Sequence, residues 1–230
     1  MTASLQGRNI VVTGGTGALG SAVVSRLLGE GATCHVPVHG SKAPAEEPGV
    51  RYVPGIDLTD AKAVDQFFSG IDDLWASVHL AGGFAFGKTV DAEPEILMKL
   101  LQMNAVTAWL CCRAAALAMT ATGKGGRIVN VAARPAIEQR TGSGMAAYAA
   151  SKAAVAATTA ALGEELKGAN ILVNAIAPSI LDTPANRDGM PKADFSKWVS
   201  LESAADLIAF LVSPQNAATS SAIIPLYARA

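Results

Sequence analysis

The stretch that decides the fold is residues 8–20, RNIVVTGGTGALG, where a short apolar run meets a cluster of glycines. Ile10, Val11 and Val12 predict a buried strand, and the residues after Gly20 have the apolar spacing of a helix. Glycines permit a tight turn and let backbone N–H groups approach an anion at the positive end of the helix. The stretch predicts either a strand–turn–helix that holds a pyrophosphate or a tight turn that binds nothing.

Composition narrows the class of protein. The chain has 230 residues with a net charge of −1, so we expect one α/β domain over residues 1–230 and no nucleic-acid partner. Three cysteines inside apolar segments indicate reduced thiols. The first residues lack a basic start followed by an apolar stretch, and no apolar run approaches the ~20 residues of a membrane span. We therefore expect a cytoplasmic protein that does not contact membranes.

Short apolar strands alternate with helical patterns along the whole chain. After the first strand, strands are predicted at 32–38, 50–53, 74–80, 127–131, 171–176 and 222–226, with long helices at 93–122 and 145–167. This alternation predicts an α/β fold, a doubly wound parallel (Rossmann) sheet of about seven strands with helices on both faces. Ligands of such sheets bind beyond the carboxyl ends of the strands.

The ends of the second and third strands face the adenosine half of a dinucleotide. No carboxylate follows the second strand, and His39, Ser41 and Lys42 are either contacts for a 2′-phosphate or ordinary loop residues. Asp57 either accepts a hydrogen bond from an adenine amino group or only helps to cap the following helix. The predicted N-cap residue of that helix is Thr59 or Asp60. The missing acid and the nearby lysine slightly favour NADP over NAD.

Later strand ends carry candidate chemistry. The small residues 81–83, Ala-Gly-Gly, let a cofactor pass over the backbone. Tyr148 and Lys152 share one face of a helix, and an ammonium near a phenol is expected to lower the tyrosine pKa toward the range of a general acid or base. The alternative is a surface pair, which their place after the fifth strand disfavours. Around residue 180, backbone groups and Thr183 are placed to hold a nicotinamide carboxamide, unless this is a plain loop.

Two other kinds of site are disfavoured. The three histidines, at 35, 39 and 79, lack ligand spacing, so we expect no metal. Ser143 has no nearby histidine to activate it, which argues against a hydrolase.

These motifs together resemble the short-chain dehydrogenase/reductase family over about residues 5–227. Residues 13–20, TGGTGALG, resemble its cofactor turn, and residues 148–152, YAASK, are its Tyr-x-x-x-Lys. Residues 79–82, HLAG, resemble its Asn-Asn-Ala-Gly element with both asparagines replaced. Residues 174–183, NAIAPSILDT, resemble its Asn-Ala-x-x-Pro-Gly-x-x-x-Thr.

The resemblance implies an NAD(P)-dependent oxidoreductase that acts on a small molecule. It implies that Tyr148 exchanges the proton, that Lys152 lowers the Tyr148 pKa and binds the nicotinamide ribose, and that Asn104 holds a water that relays protons. The implied cofactor-binding residues are Gly14, Thr16, Gly17, Ala18, Leu19, Gly20, His39, Asp57, Leu58, Ala81, Gly82, Gly83, Tyr148, Lys152, Pro178, Ile180 and Thr183. Family members pair through the two long helices, which implies a homodimer or homotetramer.

One departure separates this chain from the family pattern: Ala133 stands where the family has its catalytic serine. Three explanations stay open. Ser143 folds back to substitute, the substrate needs no serine, or the protein is a dinucleotide-binding sensor or scaffold with little turnover. The glycine turn, residues 81–84 and residues 144–145 also resemble the dihydropteridine reductase branch, which lacks this serine and reduces a quinonoid ring. That branch has an acid after its second strand, and this chain does not.

Overall fold

The computed structural model describes residues 4–229. Residues 1–3 and 230 lie outside the described residues. The two ends of the expected domain 1–230, and the first residues of the N-terminal segment without a signal-peptide pattern, therefore lie outside them as well.

A seven-stranded, wholly parallel sheet forms the centre of the molecule, in the order β3-β2-β1-β4-β5-β6-β7. Its strands are β1 (Asn9–Thr13), β2 (Thr33–Val38), β3 (Val50–Pro54), β4 (Leu74–His79), β5 (Gly126–Val131), β6 (Ile171–Pro178) and β7 (Ile223–Leu226). The chain leaves β1 toward one edge through β2 and β3, and returns to build the other edge from β4. The strand order thus reverses between β1 and β4, where a crevice opens at the carboxyl ends.

Helices cover both faces, as the alternation predicts. They are α1 (Ala18–Leu28), α2 (Ala61–Ser69), α3 (Ile96–Leu100), α4 (Thr107–Thr122), α5 (Arg134–Ile137), α6 (Ala146–Leu166), α7 (Pro184–Gly189) and α8 (Leu201–Val212). The short helices α5 and α7 fall in segments predicted as loops. Both begin with a proline in the first turn, which lacks the N–H that helix starts leave unpaired anyway.

Two apolar layers hold the sheet. On one face, α1 and α8 pack on residues such as Ile10, Val12 and Val78. On the other face, α2 and α4 pack on Val11, Ile128 and their neighbours. Alternate residues of each strand point to opposite faces, so both faces of these central strands are buried and their sequences are continuously apolar.

The boundaries differ from the predictions in small ways with local causes. Asp60, and not Thr59, is the N-cap of α2, because its carboxylate accepts from the backbone N–H of Lys62. Pro37 is tolerated inside β2 because it lies beyond the stretch that pairs with β1, whose register ends at His35.

One helical segment, Ile96–Thr122, is long and apolar enough to cross a membrane by length and composition alone, although the sequence analysis found no such run. It is continuous because α3 and α4 are joined by a π-helical stretch, Leu101–Val106. Core helices pass the same test, and Cys111, Ala115 and Met119 of this segment are buried in the layer beneath the sheet. We assign it to the core.

A buried polar network centred on His79 links β4, β5 and α6. Asn130 donates through Nδ2 to Thr159 Oγ1 over 2.9 Å, which leaves its Oδ1 to accept from His79 Nδ1 at 2.8 Å. His79 Nε2 then accepts from Ser77 Oγ at 2.7 Å. The ring is therefore neutral, and burial lowers the His79 pKa from its usual 6.5 to about 4. The family that the sequence resembles has an asparagine at this position. A histidine is accommodated here because Asn130 on the neighbouring strand β5 accepts its Nδ1 hydrogen.

His79 predicts an acid-sensitive component of stability. Because its pKa is lower in the folded chain, the contribution is complete above pH 6.5 and is lost as the pH falls toward 4. That shift corresponds to roughly 3 kcal/mol in the free energy of unfolding. We expect urea unfolding of His79→Asn to show a clearly smaller loss between pH 7 and pH 4 than the parent protein. His39→Asn is the control, because His39 is exposed. An equal loss in the parent and His79→Asn would contradict the assignment.

Candidate active site

The turn after β1 is fixed against the end of β4. Thr13 Oγ1 accepts hydrogen bonds from the backbone N–H groups of Leu80 and Ala81, at 3.1 and 3.2 Å. Gly14 has a φ of +66°, and a Cβ there would lie 2.8 Å from the Ala81 nitrogen. A Cβ on Gly20 would overlap the Gly14 carbonyl oxygen. Glycine is required at both positions, because the turn packs backbone against backbone.

The amino end of α1 has the features of an anion site. Gly17 is the N-cap and makes no side-chain capping bond. Thr16, Gly17 and Ala18 are exposed, and the first N–H groups of a helix have no acceptor within it. These groups and the helix dipole favour a negative charge. A pyrophosphate fits this place, because the turn presents backbone donors with no side chain in front of them.

Asn104 connects three parts of the site. Its Oδ1 accepts from Gly83 N at 2.8 Å, and its Nδ2 donates to Gly83 O at 3.0 Å and to Ser151 Oγ at 2.9 Å. Ser151 Oγ in turn donates to the Tyr148 carbonyl at 2.8 Å. Asn104 lies in the π-helical stretch, a feature frequent at functional sites. Its buried side chain thus joins the end of β4 to the first turns of α6.

Tyr148 and Lys152 lie in the first two turns of α6, on one side as predicted. Lys152 is 7% exposed and its Nζ donates to the Val131 carbonyl at the end of β5, over 2.8 Å. Burial lowers the Lys152 pKa to about 8 and raises the Tyr148 pKa to about 12. The expectation that Lys152 lowers the Tyr148 pKa is therefore wrong for this structure. The ammonium is directed at a backbone carbonyl, and the loss of solvation on burial raises the Tyr148 pKa.

An aromatic ring that the sequence analysis did not single out for the site contacts Tyr148. Phe84 meets the Tyr148 ring edge to face, with centroids 4.9 Å apart and planes at 79°. The loop that carries Phe84 is pinned further along, where Gly87 N donates to Gly144 O at 2.8 Å. The sequence contained a signal for this contact, because Phe84 and Phe86 follow closely after the two glycines that come after β4.

Comparison with known proteins identifies the family. The model of the short chain dehydrogenase family matches residues 8–193. The chain belongs to the short-chain dehydrogenase family. Its family membership makes it an oxidoreductase, and its parallel sheet is of the Rossmann type that binds dinucleotides.

Individual relatives agree with this assignment. The chain is 34% identical to a 3-beta-hydroxysteroid dehydrogenase from Comamonas testosteroni, over 84% of this chain and 78% of the relative. It is 27% identical to a cyclic-di-GMP-binding biofilm dispersal mediator protein from Escherichia coli (strain K12), over 91% of each. The solved structure of ElxO with NADP bound superposes with a TM-score of 0.86 at 19% identity, covering 96% of this chain and 97% of that one.

On the adenosine side of this dehydrogenase, the observed contacts of Asp57 are local. Its Oδ1 accepts from the N–H and the hydroxyl of Thr59, at 2.8 and 2.7 Å, which lowers the Asp57 pKa. Leu58 is half-buried and packs on the core beside α2. His39 is exposed at the end of β2. Asp57 thus organises the turn into α2, and its contact with adenine stays a prediction.

At the nicotinamide side, the predicted residues follow β6. Pro178 ends the strand, and the Ile180 carbonyl accepts from Val199 N at 2.8 Å. Thr183 is the N-cap of α7, with its Oγ1 accepting from Asn186 N at 3.2 Å. That bond leaves the Thr183 hydroxyl proton to donate elsewhere.

Ala133 lies where the family's serine is expected, between the end of β5 and the start of α5. It is 4% exposed and extended in backbone conformation. Ser143, the suggested substitute, is exposed at the end of a short turn, Gln139–Gly142. Neither residue therefore provides a buried hydroxyl at the position expected for the family's serine.

We expect Asn104→Ala to destabilise the site. The change removes the partners of Gly83 N, Gly83 O and Ser151 Oγ, and unpaired polar groups of this kind cost about 2 kcal/mol in the free energy of unfolding. Chemical denaturation measures the difference. The control is Gln102→Ala in the same π-helical stretch, because Gln102 is exposed. Equal stability of the two variants would show that the Asn104 bonds do not hold the loop.

Proposed function

We propose that the protein is an NAD(P)-dependent oxidoreductase that moves hydride between a nicotinamide cofactor and a carbonyl, hydroxyl or conjugated imine of a small molecule. The observation that carries this proposal is the convergence of an uncapped helix start, the Asn104 contacts and the Tyr148–Lys152 pair at one edge of the sheet. We propose Tyr148, Lys152 and Asn104 as the catalytic-site residues, with Tyr148 as the one that exchanges the proton.

The cofactor would lie across the carboxyl ends of β1 and β4. Residues 14–20 would hold its pyrophosphate, His39, Asp57 and Leu58 its adenosine, and residues 81–83 would lie beneath it. Pro178, Ile180 and Thr183 would meet the carboxamide, and Lys152 the nicotinamide ribose. When bound, the cofactor supplies or takes the hydride, and the protein supplies orientation and the proton.

The proton chemistry favours reduction at neutral pH. A Tyr148 pKa of about 12 keeps the phenol protonated, so it is ready to donate to a carbonyl oxygen that gains charge. Because the Asn104 side chain already bonds Gly83 and Ser151, we propose that it positions α6 against β4, while the water relay stays a role implied by the family.

Tyr148→Phe tests this assignment. The variant keeps the ring contact with Phe84 but has no proton to donate, so we expect turnover to fall by 10²–10⁴-fold, as for loss of a general acid. NADPH oxidation with an active ketone measures turnover, and cofactor titration by protein fluorescence checks that the variant still binds NADPH. Unchanged turnover would assign the proton to another group.

NADP is the proposed cofactor over NAD. His39, Ser41 and Lys42 are exposed beyond β2, residues 38–42 contain no carboxylate, and a cation there attracts a 2′-phosphate. We expect Lys42→Ala to weaken NADPH binding about tenfold, which corresponds to one charge-assisted hydrogen bond, and to leave NADH binding unchanged. Fluorescence titration of both cofactors measures this, with Lys62→Ala on α2 as the control. Equal effects on NADPH and NADH would remove the preference.

Ala133 favours a second candidate, a dinucleotide-binding sensor or scaffold with little turnover. The Escherichia coli relative is named for binding cyclic-di-GMP and not for a reaction, which gives this alternative a precedent. Retention of Tyr148, Lys152 and Asn104 argues for the enzyme. The purified protein with NADPH and a panel of ketones and quinonoid pterins separates the two. Tight cofactor binding with no oxidation across the panel would favour the sensor.

We also propose pairing of copies through the long helices, to give a homodimer or homotetramer. Trp109 and Leu117 lie two turns apart on α4 and are 52% and 57% exposed. Alanines 146, 150, 157 and 161 are exposed along α6. Small residues allow close helix packing, and large exposed apolar side chains favour an interface.

A further inference from the structure

Two phenylalanines stand exposed at the mouth of the site. Phe84 and Phe86 are 62% and 70% exposed, although each aromatic side chain gains from burial. They are separated by one residue, Ala85, in the loop that follows β4. Phe84 meets the Tyr148 ring, so this ring lies beside the proposed proton donor.

Both rings are held in place by the fold. Asn104 bonds the backbone of Gly83 on both its N–H and its carbonyl, directly before Phe84. Phe86 lies against Gly144, where a Cβ would come within 2.9 Å of its Cζ, and Gly87 N donates to Gly144 O at 2.8 Å. A surface fixed in this way can bind a flat group without first paying to order its own side chains.

The polarity around these rings suits an apolar group. Phe86 lies against Gly144, which has no side chain, and the next residue, Met145, is apolar. Edge-to-face and offset-stacked contacts between aromatic rings add attraction beyond that of buried area, and saturated rings do not share this.

We propose that Phe84 and Phe86 form a platform that selects substrates whose reducible carbonyl is attached to a flat aromatic ring; this rests on the proposed oxidoreductase function. With the ring on the platform, the carbonyl lies beside Tyr148. The carbonyl carbon gains a hydride from the reduced nicotinamide, its π electron pair passes to oxygen, and the oxygen takes the proton of Tyr148 Oη. The products are a secondary alcohol and the oxidised cofactor, and solvent returns the proton to Tyr148.

The test compares two ketones of equal carbon number, acetophenone and cyclohexyl methyl ketone. The ratio of their kcat/KM values with NADPH is measured for the parent protein, Phe84→Leu and Phe86→Leu. Leucine keeps the side chain apolar but removes the ring. Phe210→Leu is the matched control, because Phe210 is 44% exposed on α8, on the other face of the sheet. We expect the ratio to fall about fivefold in the first two variants, the size of one aromatic contact, and to stay unchanged in the control. An unchanged ratio in Phe84→Leu would overturn the platform.

A binding measurement separates this proposal from the proposed function. Saturation-transfer NMR of acetophenone in the presence of NADP⁺, where no reduction occurs, should show transfer to the ring protons in the parent and the control and a loss of at least half in the two variants. Transfer that depends on Phe84 without any turnover would support the platform and contradict the reductase. No transfer in the parent protein would contradict the platform. A changed sedimentation mass in Phe84→Leu would also contradict it, because that result would assign the rings to an interface between copies of the chain.

Discussion

The close contact between the turn after β1 and the end of β4 is the constraint on which the rest of the structure depends. Gly14 lies against the backbone of Ala81, and Thr13 Oγ1 accepts from the N–H groups of Leu80 and Ala81, the two residues that follow β4. This contact lies where the strand order reverses, so it sets the width of the crevice. A side chain at Gly14 would push the two strand ends apart, and one at Gly20 would push α1 away from the turn.

The second half of the site is built outward from the same strand end. Asn104 holds Gly83 and reaches Ser151, while Lys152 reaches back to the end of β5. The consequence is that Tyr148 is placed by α6, β4 and β5 together. Burial then decides its protonation: the phenol stays protonated, and the neighbouring ammonium loses its proton more easily than an exposed lysine would.

Much of the fold was predictable because the signals are local and periodic. Every predicted strand and long helix is present, since apolar runs, glycine stops and caps act over a few residues. The family assignment is confirmed for the same reason, because its motifs are short. The predictions missed α5, α7 and the π-helical stretch, which have no apolar period of their own. The expected Tyr148 pKa was wrong because spacing on a helix says nothing of burial.

The sequence by itself determined the parallel sheet, the glycine turn and the order of candidate residues along its carboxyl edge, because each depends on residue type and short spacing. Tertiary structure alone decided what those residues contact. It brought Asn104 to Gly83 and Ser151, paired buried His79 with Asn130, and set the Phe84 ring against Tyr148. These contacts join residues 20 or more positions apart or on different elements, so only the packing of strands and helices can fix their distance and their exposure to water.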